Sequence, residues 1–133
     1  GYTEGQHIYH IGEYYYLLMA EGGTGYDHMV TMARAKSIWG PYEEDPGNPV
    51  LTSDMENPDA LQRCGHADIV CTQKGEWYMV HLCGSPPKGS GQCVLGRETA
   101  IQKMVWNEEG WLRMACGGNF GQWETGTILI LRF

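Results

Sequence analysis

The tetrapeptide Gly12-Glu13-Tyr14-Tyr15 returns about 60 residues later as Gly75-Glu76-Trp77-Tyr78, each time at the same place in a strand, turn, strand pattern. His7 to Ile11 and Tyr14 to Ala20 are rich in aromatic and β-branched residues and flank Gly12-Glu13, a pair that tolerates the positive φ of a tight hairpin turn. Asp68 to Thr72 and Trp77 to Leu82 repeat the arrangement around Gln73 to Glu76. Further strand-like runs follow each hairpin: Met29 to Ala35 after the first, Glu98 to Trp106 and Gly110 to Met114 after the second. Between them, residues 40–49 and 85–91 read as loops by their proline and glycine density. Short strands repeating at this period predict an all-β chain holding about two blades of a β-propeller.

Composition narrows the function classes. At 133 residues, 42% hydrophobic and 11% aromatic, the chain can bury one modest core. A formal charge of -7 argues against a nucleic-acid backbone or an anionic membrane as partner, because an acidic surface gains nothing from counterion release. A neutral sugar is compatible with it. No stretch has the pattern of a secretion signal or the length of a membrane span. Five cysteines, Cys64, Cys71, Cys83, Cys93 and Cys116, are an odd number without CxxC spacing, which favours reduced thiols in a cytoplasmic protein over a disulfide framework or a zinc ribbon.

One acidic residue stands out. Glu4 lies at the mouth of a strand-like run, Thr3-Glu4-Gly5-Gln6-His7-Ile8-Tyr9, where desolvation among glycine, histidine and aromatic neighbours would raise its proton affinity, as a general acid requires near neutral pH. That run, together with Tyr14 to Thr24, Val30-Thr31-Met32-Ala33-Arg34, Gly65-His66-Ala67-Asp68, Trp77 to Leu82 and Leu95 to Gln102, resembles family 43 of the glycoside hydrolases, in its β-xylosidase and α-L-arabinofuranosidase branch. The resemblance covers residues 2–119 in the family's order. It implies a five-bladed β-propeller, of which a chain this short would be a fragment, and hydrolysis of terminal xylosyl or arabinosyl bonds in hemicellulose oligosaccharides with inversion.

The same resemblance implies roles for individual positions. Glu4 matches the proton donor, although Gln6 replaces the family's usual proline and leaves the backbone after the acid freer. Arg97 matches an arginine that donates to sugar hydroxyls, a task suited to a planar guanidinium, against the alternative of an ion pair with Glu98. Glu98, alternating to the other side of its strand, is expected to be structural. His66 matches a histidine near the propeller axis and is taken as substrate-binding, not as a metal ligand. Thr24 and Cys93 match positions bordering the sugar, against the plainer readings of a turn hydroxyl and an inert thiol. An inverting enzyme also needs a general base some 6.5 to 9.5 Å from the acid. The family's base and its pKa-tuning aspartate match no residue here, neither Asp27 nor Asp68.

No cofactor is expected, while a central calcium is compatible with the full propeller. Residues 1–119 are expected to form the partial propeller and 120–133 an atypical C-terminal extension, whose apolar end from Thr127 to Phe133 could be a strand awaiting a partner. The expected partner is a xylo- or arabino-oligosaccharide, with a homo-oligomeric parent left open. The competing class is a propeller-derived carbohydrate-binding or interaction module without turnover.

Overall fold

The structure is a computed structural model describing residues 3–23, 28–57, 59–84, 97–121 and 130–131. Among these residues the secondary structure is entirely β, in two antiparallel sheets. The first runs β1 (Thr3–Ile11), β2 (Tyr14–Glu21), β3 (Met29–Ala35) and β4 (Glu43–Glu44) in sequence order. The second runs β5 (Gln62–Cys71), β6 (Trp77–Gly84), β7 (Glu98–Trp106) and β8 (Leu112–Met114), and β9 (Ile130–Leu131) pairs with the start of β7. Each sheet is a meander whose strands neighbour one another as they do in the chain, which is the construction of a propeller blade.

The repeated tetrapeptide marks the first hairpin of each sheet. Gly12 (φ 62°) and Gly75 (φ 80°) take the left-handed conformation that the turns require, and Ile11 then pairs with Tyr14 as Cys71 pairs with Trp77. Three features depart from the sequence reading. A fourth strand, Glu43–Glu44, pairs with Arg34 and Ala33 inside the segment read as a loop, because two residues between prolines carry no periodicity. Strand β8 begins at Leu112, after a turn through Gly110. Strand β5 begins six residues before Asp68, and two register shifts, between Gln62 and Gly65 and between Gly65 and Asp68, interrupt the alternation that would have marked it.

Burial alternates along β2, with Tyr16, Leu18 and Ala20 buried and Tyr15, Leu17 and Met19 half-buried, and along β7, where Ala100, Gln102 and Met104 face inward. The inward faces of the two sheets pack together. Leu18, Val30 and Met32 from the first meet Ile69, Met79, Met104 and Leu112 from the second, and Val50 and Leu51 fill the seam from the connecting segment. Each such side chain contributes roughly 1.5–3 kcal/mol.

Polar contacts stitch the two sheets at several heights. The Tyr9 hydroxyl on β1 donates to Asp68 on β5. Tyr16 donates to the Gly110 carbonyl at 2.7 Å, and Arg34 lies between the Tyr14 and Trp111 rings, 4.4 and 4.1 Å from their centroids. Thr52 bonds through its backbone to Asn119 and Gly121, so the beginning of the 120–133 segment rests in this seam.

Candidate active site

Strands β1 and β5 open the two sheets and carry Glu4 and His66, while Arg97 immediately precedes β7. Glu4 pairs with Ala20, and the ladder then slips before resuming at His7 with Leu18. Gly5, inside this bulge, takes φ 60° and leaves room for an aromatic ring directly against its backbone. A methyl group at position 5 would lie 2.8 Å from His66 Nε2 and 3.0 Å from its Cε1. The His66 ring therefore covers the residue next to Glu4.

His66 reaches that position through unusual backbone. It adopts φ 52° and Arg63 adopts φ 54°, two non-glycine residues in the left-handed region within one strand. Bulges of this kind re-aim side chains, here onto the first sheet. His66 is exposed rather than a satisfied core histidine.

Beneath this pair lies a residue that the sequence did not single out. His28 is 2% exposed, and its ring lies flat on Gly65, where a methyl group would sit 2.5 Å from Cδ2. It hydrogen-bonds the Arg63 backbone and feels the charges of Arg97, His66 and Glu4. Burial, above all, holds this imidazole below its ordinary pKa. Glu4, His66 and Arg97, remote in sequence, thus converge within electrostatic reach of one buried ring.

Two details correct or refine the sequence reading. Glu4 is exposed rather than desolvated. Glu98 is buried, in keeping with a structural role. Asp68, not assigned to catalysis, is engaged by the Tyr9 hydroxyl and by the Ile69 amide at 2.9 Å, and burial with this bond raises the Tyr9 phenol well above its ordinary range. An open cleft of ≈ 260 Å3 follows the face shared by His66 and Asp68, with Val80, Leu82 and Thr99 along it. Thr24 and Cys93 lie outside the described residues. Among the described residues Cys64, Cys71, Cys83 and Cys116 are free thiols, and no group of three His, Cys, Asp or Glu side chains could hold a metal ion.

With this geometry in place, the sequence profile of glycosyl hydrolases family 43 matches residues 1–112. The chain belongs to glycosyl hydrolases family 43. A β-xylosidase of Bacillus subtilis is 54% identical over 115 residues, covering 80% of this chain and 22% of the relative. A non-reducing end α-L-arabinofuranosidase of Bacteroides ovatus is 48% identical over 116 residues, covering 86% of this chain and 22% of the relative. Among solved structures, the xylan β-1,4-xylosidase of Bacillus halodurans superposes with a TM-score of 0.82 at 56% identity, over 90% of this chain and 23% of that one. The chain spans about a fifth of the length of the curated relatives it matches. Its two sheets are about two blades of the family 43 five-bladed propeller.

Proposed function

We propose that this chain carries the proton-donor side of a glycosidase that releases terminal xylosyl or arabinosyl units from hemicellulose oligosaccharides with inversion. The observation that carries the reading is the convergence of Glu4, His66 and Arg97 around the buried His28 ring. Glu4 is the general acid and protonates the departing glycosidic oxygen. The Arg97 guanidinium donates to sugar hydroxyls and His66 hydrogen-bonds the sugar from across Gly5. The general base that activates water on the opposite face of the sugar comes from another blade, and no residue of this chain takes that part. Names of the relatives support both pentoses, and one pocket can serve both because their hydroxyl arrangements are similar.

The test uses the full-length protein carrying this sequence. Glu4→Gln should abolish turnover of xylobiose, whose leaving sugar needs a proton, and spare far more of the activity on an aryl xyloside with an acidic leaving group. Wild-type turnover of xylobiose by this variant would remove Glu4 from the mechanism. The exposure of Glu4 favours a second reading, a carbohydrate-binding module without turnover. Binding of xylo-oligosaccharides with no product from the unaltered full-length protein would establish that one instead.

A further inference from the structure

His28 is given no chemical role in the reading above, yet it is a buried polar group within electrostatic reach of Glu4. Three observations bear on it. First, its ring is buried and rests on Gly65, with no space for a side chain at position 65. Second, its hydrogen bond to the Arg63 backbone favours the protonated ring, so the imidazole is the donor in it. Third, Nε2 has no partner among the described residues, which assigns that donated proton to Nδ1.

These contacts fall on one short stretch of β5. Arg63 and His66, the two residues held in left-handed backbone, flank Gly65, on which the His28 ring rests. A left-handed non-glycine residue is strained and persists only where its surroundings impose it. The His28 ring supplies such an imposition at both ends of the stretch, by packing at Gly65 and by hydrogen bonding at Arg63. The direction of the His66 ring depends on the same backbone.

We propose that His28 is a positioning residue: it locks the β5 bulge so that the His66 ring stays seated over Gly5, beside Glu4. The proposal rests on the assignment of Glu4, His66 and Arg97 as the sugar site. It makes His28 matter through His66 and through nothing else.

A double-mutant cycle in the full-length protein tests this, with kcat and KM on xylobiose and thermal unfolding measured for each variant. His28→Ala should lower kcat/KM by about ten- to a hundredfold, the usual consequence of a small misplacement near the chemistry. In a His66→Ala background the same change should lower it by no more than about twofold, the scatter expected of a change with no remaining target. His28→Asn, which can still donate to Arg63, should recover most of the loss, whereas His28→Leu, which fills the space without a donor, should not. Equal losses in both backgrounds, or equal recovery by Asn and Leu, would overturn the proposal.

If the variants fail to fold, imidazole nitrogen shifts of the unaltered protein decide: the Nδ1–H tautomer supports the lock, and the Nε2–H tautomer refutes it. Glu4→Gln is run alongside. Full activity of that variant with a non-additive cycle would discard the acid assignment and keep the coupling of His28 to His66. An inactive Glu4→Gln variant with an additive cycle would do the reverse.

Discussion

The Asp45 carboxylate, with its side chain fully buried, is gripped by both terminal nitrogens of Arg113 from the other sheet, at 2.5 Å to Oδ2 and 2.6 Å to Oδ1. The Gly47 amide donates to the same carboxylate at 2.8 Å. Such bidentate geometry compensates the desolvation of the pair, but removing one partner leaves the other uncompensated. Arg113 retains 28% side-chain exposure and can recover water, whereas Asp45 cannot. Arg113→Ala should therefore destabilise the protein by about 3–5 kcal/mol, and Asp45→Ala by less. Denaturant unfolding of the two variants checks the order, and a larger loss for Asp45→Ala would contradict it.

Gly5→Ala addresses the site. The new methyl group would collide with the His66 ring, and alanine at φ 60° is strained. In the full-length protein kcat/KM should drop by about tenfold or more, while stability falls by only about 1–2 kcal/mol. A loss of stability with unchanged kinetics would show that the seat of His66 has no bearing on turnover.

Arg34 separates charge from shape. It is sandwiched between Tyr14 and Trp111, bonds Glu43 at 2.7 Å and donates to the Glu109 carbonyl at 2.6 Å. A lysine keeps the charge but cannot stack and fork in this way. Arg34→Lys should cost about 1–3 kcal/mol, close to the cost of Arg34→Met, because most of the contribution comes from the planar group. A lysine variant as stable as wild type in thermal unfolding would refute this.

His81 makes stability depend on pH. It is 1% exposed, accepts from the Gln102 amide at Nε2 (3.2 Å) and bonds the Leu82 carbonyl through Nδ1 (3.0 Å), and burial pushes its pKa down to about 4. The unfolded chain, near the ordinary value of 6.5, binds a proton that the folded chain refuses, so stability falls as pH drops from 6.5 towards 4 and is independent of this group above that window. The full effect is about 3 kcal/mol, at roughly 1.4 kcal/mol per pH unit. In His81→Gln the slope of unfolding free energy against pH in this window should flatten; an unchanged slope would assign it to other groups.

Thiol chemistry follows burial. Cys71 and Cys116 are exposed, while Cys64 and Cys83 are buried and burial raises the Cys64 thiol to about 11. Peptide mapping after brief alkylation of the native protein should find Cys71 and Cys116 modified and Cys64 and Cys83 protected. Labelling of all four at one rate would mean that the sheets do not pack as described.

Much of this was legible in the chain because the signals are local. The paired hairpin words gave the strands on either side of Gly12 and Gly75, and β3 ends where the run Met29 to Ala35 ends, because alternation and turn chemistry act between neighbours. Glu4, Arg97 and His66 could be picked out by the words around them. Hidden from that reading were β4, too short to alternate, and the start of β5, where two bulges erase the period. The expected burial of Glu4 also failed, since desolvation depends on which walls surround a group and not on the residues next to it in sequence.

Sequence by itself determined an all-β meander of about two blades and the family to which it belongs, since strand period, turn residues and motif order are all properties of adjacent positions. Tertiary structure alone decided that Asp45 meets Arg113 and that His28 lies under Gly65, because such partners are chosen by the packing of distant strands. It also decided that the His66 ring turns onto Gly5, next to Glu4 in the chain. That orientation comes from left-handed backbone at Arg63 and His66, a conformation no L-residue prefers in isolation and one sustained here by what packs against it.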